Sequence, residues 1–339
     1  MEIEERRSIL ALATALATVR EYFEEIQHEP SNFSQLCELL NHAEQCIFEH
    51  KDAFGVANAK FQLGCEEFVL LSNTIAMHML QQQSAGSPRE LAMCGGLLQN
   101  AEHHTRRAGY MRSIQSSSVE EQDQYRGQND DGHVSRRLEF RLICLNNLAC
   151  YHKEVAKPLA ALGFLEKALK IQFKLVSSAA SGLGSDYDQQ TTTSHAIALT
   201  HLNLCAVLSQ LQRHSAAAEH ARASIALLAA VQSPSPSRTA ADGRVVQLTL
   251  VAHFNLGVEL EHLSDADAAL RTYHAALQLA KTHGLPCTES DLVRTMEEIV
   301  REPRYGRKTA RGPPISPRSR HMSPCFRPLS PRSLRQASA

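Results

Sequence analysis

Two histidines stand in register within a repeated motif and are the first residues to consider for metal or proton chemistry. His201 lies in the segment "THLNLCAVL", and His253 lies in "AHFNLGVEL", fifty-two residues further along the chain. Imidazole is the commonest metal ligand and titrates near neutral pH. No carboxylate or thiolate recurs at a matching spacing, so we predict no metal site. The adjacent pair His103 and His104 is interpreted as part of a solvated helix face.

The cysteines and short polar motifs provide no candidate for nucleophilic or phosphate chemistry. Nine cysteines include no C-x-x-C pair and no zinc-ligand spacing, which favours reduced thiols packed as small hydrophobic groups. The segment "GLGSD" (Gly182–Asp186) is too short for a phosphate loop and lacks the following lysine. Asp265 is interpreted as a helix-start residue. The sequence therefore predicts a non-catalytic protein that uses no cofactor and no small-molecule substrate.

Charge is distributed unevenly along the chain. The formal net charge is −1, but residues 301–339 carry ten Lys/Arg and one acid, which is +9 and leaves −10 for residues 1–300. Three Ser-Pro dipeptides in this tail are candidate phosphorylation sites, and each phosphate adds about −1.5 to −2 charge: Ser316, Ser323 and Ser330. One hypothesis is that the tail binds an acidic surface such as a microtubule and that phosphorylation releases it. The alternative is a solvated low-complexity end that binds nothing. Scarce aromatic residues disfavour specific nucleic-acid binding.

One apolar stretch near the N-terminus has features of an export signal. Ser8–Val19, "SILALATALATV", has the length and small residues of a signal-peptide core. However, the residues before it begin with acidic side chains, and the helical periodicity continues after it. We interpret it as an amphipathic helix. No run reaches the roughly 20 apolar residues of a membrane span. A cytoplasmic location without membrane association is therefore expected.

Helical periodicity runs through most of the chain, and β-branched runs are too short for a sheet, so we predict an all-α fold. Helices are predicted at residues 3–28, 32–50, 54–82, 88–108, 134–155, 157–177, 192–212, 215–231, 244–263, 265–283 and 288–301. The predicted organisation is N-terminal helix pairs (1–108), a flexible insertion (109–133), three helix pairs with a terminal helix (134–301) and a disordered basic tail (302–339).

The three later helix pairs share undersized residues at fixed offsets. A Leu-small dipeptide in the first helix is followed twelve residues later by a small residue in the second helix, and seven residues after that by another. This spacing is typical of antiparallel helices packed so closely that only small side chains fit where they cross. The predicted packing residues are Leu148, Ala149, Ala161 and Ala168, then Leu204, Cys205, Ala217 and Ser224, then Leu256, Gly257, Ala269 and Ala276.

These units resemble the tetratricopeptide-repeat family over residues 142–175, 198–231 and 250–283. The position that usually holds Trp is occupied by Leu145, His201 and His253, and the closing Pro of each unit is absent. Upstream, Leu63-Gly64 with Cys94 and Ala101 resembles a degenerate unit on the same template. The resemblance implies a right-handed superhelical solenoid of antiparallel helix pairs.

In this family the first helices line a concave groove that holds a peptide. Carried over by position, the partner-binding residues are Asn146, Asn147, Cys150, Lys153, Leu199, Leu202, Asn203, Ala206, Val251, Phe254, Asn255 and Val258. Asn147, Asn203 and Asn255 occupy equivalent positions. Their amides could hold a ligand backbone or could tie adjacent helices together, and the sequence leaves both readings open.

The resemblance also indicates what kind of partner to expect. Family members that clamp a chaperone's terminal carboxylate need Lys or Arg at several groove positions, which here hold apolar or amide residues. An apolar groove instead suits an amphipathic helix or an extended apolar segment. The expected function is a protein-binding scaffold in the cytoplasm, with a cytoskeletal or ciliary setting suggested by the tail. The alternative is a regulatory subunit or sensor whose groove is filled by its own insertion or tail.

Overall fold

The computed structural model describes residues 2–26, 33–56, 58–82, 88–106, 129–181, 187–231, 239–284 and 291–301. These residues form eleven helices and no strand, which confirms the all-α prediction. The predicted tail 302–339, with Ser316, Ser323 and Ser330, lies outside the described residues, as does most of the predicted insertion 109–133.

Every predicted helix is present, with ends that differ from the prediction by at most five residues. The bounds are α1 Glu2–Ile26, α2 Phe33–Phe54, α3 Ala59–Gln82, α4 Pro88–His104, α5 Asn129–Glu154, α6 Pro158–Ser181, α7 Tyr187–Gln210, α8 His214–Val231, α9 Thr239–His262, α10 Ala266–Thr282 and α11 Asp291–Arg301. Helix α5 begins inside the polar segment predicted as an insertion, so residues 129–133 are helical.

The helices belong to two compact units that divide between Val155 and Ala156. The first unit contains α1–α5, and the second contains α6–α11. Helix α5 belongs to the first unit because it packs on α3 and α4. The division therefore falls after α5, inside the first of the three predicted helix pairs.

The first unit is built on apolar stripes at helical spacing. In α1 the buried side chains include Leu12, Leu16 and Val19, which recur every three or four residues and face α2 and α3. Gly64 on α3 lies under α1, since a Cβ built there would stand 2.7 Å from Leu12 Cδ2. Leu63 beside it is 58% exposed. Leu63 therefore differs from the buried leucines at the equivalent positions of the later pairs, Leu148, Leu204 and Leu256.

The small residues at the α3–α4 contact lie elsewhere. Ala76 on α3 and Cys94 on α4 are both fully buried, and Cys94 Sγ donates to the Ala76 carbonyl at 3.2 Å. Gly95 on α4 makes room for α5, because a Cβ there would stand 2.6 Å from Tyr151 Cζ. Small residues at the helix contacts thus allow close packing in the first unit, as they were predicted to do in the three later helix pairs.

In the second unit each helix packs on the next. Helix α6 contacts α7, α7 contacts α8 and α9, α8 contacts α9, and α9 contacts α10. Helix α11 packs on α9 and α10 through Leu292, Val293, Met296 and Ile299. Helices α7 and α9 are the first helices of the last two predicted pairs. Each of them packs on the second helix of its own pair and on the second helix of the preceding pair.

The structure buries all twelve predicted packing residues. Two of them, Gly257 and Ser224, show why small size is needed. A Cβ on Gly257 would stand 2.5 Å from Tyr273 Cζ. Ser224 fills its slot with a hydroxyl that donates to the Ala198 carbonyl of α7 at 3.0 Å. A larger side chain at either position would push the paired helices apart.

The turns between paired helices share one unusual backbone conformation. Ala156, Gln212 and Ser264 have positive φ angles of 55°, 58° and 63°. Each lies seven residues after the small residue of its pair, at Ala149, Cys205 and Gly257. After Gln212 and Ser264 the next N–H donates back to the helix, from Arg213 to the Leu208 carbonyl and from Asp265 to the Leu260 carbonyl, both at 2.9 Å. Both helices therefore end at a residue in the left-handed conformation, although that residue is not glycine.

Candidate functional site

The predicted groove residues of the first unit lie on α5. Asn146, Asn147 and Cys150 are buried, and Lys153 is 13% exposed with Nζ 2.7 Å from the Glu154 carboxylate. Buried amides must find hydrogen-bond partners within the protein. Asn146 meets this need locally, because its Nδ2 donates to the Leu142 carbonyl one turn earlier at 3.0 Å.

Asn147 ties α5 to α3. Its Nδ2 donates to Asn73 Oδ1 at 2.8 Å, and both side chains are fully buried. Asn73 Nδ2 in turn donates to the Val69 carbonyl at 2.8 Å and to Cys144 Sγ at 3.2 Å. Of the two readings of this position, the structure thus shows the helix-tying one for Asn147. Asn73, the partner of Asn147 on α3, is not among the residues predicted from the sequence.

The predicted groove residues of the second unit lie on α7 and α9, and most of them are in the interior. Leu202, Asn203 and Ala206 on α7 are at most 3% exposed, and Leu199 is partly exposed. On α9 all four predicted residues are at most 8% exposed: Val251, Phe254, Asn255 and Val258. Another polypeptide could reach these side chains only if the chain covering them moved away.

A polar cluster joins α7, α8 and α9. The fully buried Glu259 carboxylate on α9 lies 2.8 Å from His214 Nδ1, at the first residue of α8, and also accepts from Ser209 on α7. The His262 ring stacks on His214 with centroids 3.9 Å apart. Burial raises the pKa of Glu259, while the bonds from His214 and Ser209 oppose that rise. Because Ser209 donates to the carboxylate, this cluster does not place an imidazole to activate its hydroxyl.

The two histidines that stand in register have different environments. His201 Nδ1 lies 2.8 Å from His220 Nδ1 on α8, whereas the His253 Nδ1 lies 2.9 Å from the Thr249 carbonyl one turn earlier. Burial lowers the pKa of both imidazoles. No group of three or more metal-ligating side chains occurs among the residues that the structure describes.

The interpretation of His103 and His104 as a solvated face is wrong for His104. Its side chain is fully buried, its Nε2 lies 2.9 Å from Glu44 Oε1, and its ring contacts Phe68 edge-on. His103 is exposed, as expected. Adjacent helical residues point about 100° apart, so one can face the core while the other faces water.

None of the cysteines in the described part of the chain forms a disulfide, and most of them are buried. Burial raises the pKa of Cys65 and Cys94 to about 12, and that of Cys144 to about 12 as well. A thiol that stays protonated is a poor nucleophile and a poor metal ligand. These residues therefore act as packing groups.

Comparison with known proteins assigns no family to this chain. No protein-family model matches it, and no curated protein matches its sequence. Among the described helices, none is both long and apolar enough to span a lipid bilayer.

Proposed function

We propose that this chain is a non-catalytic scaffold of tetratricopeptide-like helix pairs, arranged as a solenoid, whose first helices hold a partner polypeptide. The observation that carries the proposal is the repeated joint: small buried residues where α9 meets α10 and where α7 meets α8, each pair closed by a left-handed turn at Gln212 or Ser264. Such joints set the spacing of helices without placing reactive groups. Stacked helix pairs serve mainly to present a surface to another chain.

A second candidate is favoured by the burial of the predicted groove. Asn203, Phe254 and Asn255 are almost inaccessible to solvent, which would follow if a segment of the same chain occupied the groove. In this reading the protein is a sensor that opens when the segment is displaced. The segments proposed for this role are residues 109–132 and the tail.

One experiment separates these candidates. Leu199 is the predicted groove residue of α7 that remains partly exposed, so a photo-crosslinking p-benzoylphenylalanine at Leu199 should be tolerated. For a scaffold we expect adducts with other proteins, and for a self-occupied groove we expect adducts with the chain's own peptides. The same amino acid at exposed Gln278 on α10 is the matched control. Equal adducts at both positions would contradict a role for the first helices.

We further propose that the tail tethers the protein to an acidic surface such as a microtubule. The motivation is the charge of +9 on residues 301–339 and the three Ser-Pro sites in the tail. Replacing Ser316, Ser323 and Ser330 together by Asp is expected to weaken co-sedimentation with polymerised tubulin several-fold, because added negative charge offsets the basic residues. The triple Ala variant should sediment like the wild type, and sedimentation should fall with salt. Equal sedimentation of the Asp and Ala variants would refute regulation by these serines.

A further inference from the structure

The contact between α7 and α8 includes a pair of imidazoles whose facing nitrogens share one hydrogen. His201 Nδ1 and His220 Nδ1 lie 2.8 Å apart, with ring centroids 5.0 Å apart. At this separation one nitrogen must donate its hydrogen and the other must offer a lone pair. An imidazolium has no lone pair at either nitrogen. The bond can therefore survive one added proton but not two.

We propose that the His201–His220 pair is an acid-sensitive latch that holds α7 against α8 near neutral pH and releases it when both rings are protonated. The two rings come from helices that otherwise meet through small side chains such as Ala217, Ala221 and Cys205. Two imidazolium ions at hydrogen-bond distance would repel each other, and partial burial of both rings weakens the screening of this repulsion by water. The latch requires no bound partner, so it does not depend on the scaffold proposal.

Neighbouring charges only partly relieve this repulsion. Burial lowers the pKa of His201 to about 4, and the field of His220 acts in the same direction. Burial also lowers the pKa of His220, and Glu219 on α8 opposes that effect. From α9, Glu259 and His262 face His214 at the start of α8. Burial and the nearby His214 lower the pKa of His262. The contact between α8 and α9 therefore also responds to acid.

The sign of the pH effect follows from these directions. An imidazole released into solvent has a pKa near 6.5, so the open form binds more protons than the latched form between about pH 6.5 and 4. Acidification across this window therefore favours opening. For His201 alone, moving from pH 7 to pH 5 is expected to raise the open population at least about tenfold.

Hydrogen exchange on the full-length chain tests the latch. With labelling times scaled for intrinsic exchange, amides of α7 and α8 should exchange at least about tenfold faster at pH 5 than at pH 7. In His201→Gln with His220→Gln, two amides can still hydrogen-bond but cannot be protonated. The pH effect on α7 and α8 should then fall to less than about threefold. His274→Gln with His283→Gln, at exposed positions after α8, is the matched control and should behave as the wild type.

The wild-type protein gives a second readout that does not depend on whether the double variant folds. In NMR titrations of ¹³C-labelled histidine, assigned by single substitutions, at least one ring of the pair should stay neutral at about pH 5.5, where an imidazole with the ordinary pKa near 6.5 is mostly protonated. The proposal would be overturned if the neutral-ring signals of both His201 and His220 disappeared with a midpoint near pH 6.5. An equal acid response of α7–α8 exchange in the wild type and the double Gln variant would also overturn it.

Discussion

Replacing Gly257 by cysteine is expected to lower the free energy of unfolding by about 2 kcal/mol, because the added side chain overlaps the Tyr273 ring. A Cβ at Gly257 would lie 2.5 Å from Tyr273 Cζ, and Tyr273 is fully buried on α10. The ring cannot swing into solvent without separating α9 from α10. Overpacking should therefore outweigh the roughly 1 kcal/mol that a helix gains when glycine is replaced.

The preceding pair suggests how to restore the fit. Its equivalent positions hold Cys205 and Ala221, a larger residue on the first helix and a smaller one on the second. Tyr273→Ala alone should destabilise by about 4 kcal/mol, because it leaves a cavity. The double variant copies the neighbouring pair, so it should be more stable than the sum of the single effects by about 2 kcal/mol.

Urea unfolding followed by circular dichroism measures this double-mutant cycle. Gly163→Cys on α6 is the matched control, because a Cβ there meets no neighbour within 4 Å. The control should be neutral or slightly stabilising. Additive effects of Gly257→Cys and Tyr273→Ala would show that these two side chains do not determine how closely α9 and α10 pack.

Replacing His214 by alanine is expected to lower the free energy of unfolding by about 3 kcal/mol at pH 7.5, because it removes a partner of a fully buried carboxylate. His214 also links the start of α8 to α9 through its stack on His262. The Glu259 carboxylate is contacted by the His214 imidazole from α8 and by Ser209 from α7. Loss of the imidazole should weaken the α8–α9 contact first.

The pH dependence of stability distinguishes two effects of the substitution: a Glu259 carboxylate left without its His214 partner, and the loss of packing around His214. Burial raises the pKa of Glu259 above its ordinary value, and loss of His214 removes a contact that lowers it. The folded variant therefore takes up a proton in a range above pH 4.5 where the unfolded chain has already lost it. Relative to the wild type, the stability of His214→Ala should recover as the pH falls from 7.5 to 5.5.

Two further variants control this measurement. His274→Ala, at an exposed position on α10, should change the stability by less than about 0.5 kcal/mol. Adding Glu259→Gln to His214→Ala should remove the pH-dependent part, because the amide cannot ionise. A destabilisation by His214→Ala that stays constant from pH 7.5 to 5.5 would mean that the imidazole acts through packing alone.

The scaffold and sensor proposals share one requirement for the first helices to bind another chain. The predicted groove residues on α7 and α9 are mostly interior, so either proposal requires that the covering chain can be displaced. The His201–His220 latch lies on the same α7 helix, which gives acidification a physical route to loosening that region. Crosslinking from Leu199 at pH 7 and pH 5 would show whether the two events are linked.

The amino-acid sequence by itself determined the helices and the small residues at their crossings. Helical periodicity and the absence of long β-branched runs are local properties, so all eleven helices could be predicted to within five residues. The spacing from Gly257 to Ala269 and Ala276 is equally local within one helix pair. Because close helix packing tolerates little besides Gly, Ala, Ser and Cys, the burial of these positions could be predicted from their types together with their spacing.

Only the tertiary structure decided which faces of these helices meet. The pairing of Asn147 with Asn73, the burial of His104 against Glu44 and the exposure of Leu63 each depend on residues far away in the chain. The left-handed turns at Ala156, Gln212 and Ser264 carry no glycine to mark them. A helix with apolar residues on several faces, such as α7 or α9, does not specify from its own periodicity which neighbours cover it. Burial of the predicted groove is therefore a result of the whole fold, because it depends on chain segments that the local pattern does not encode.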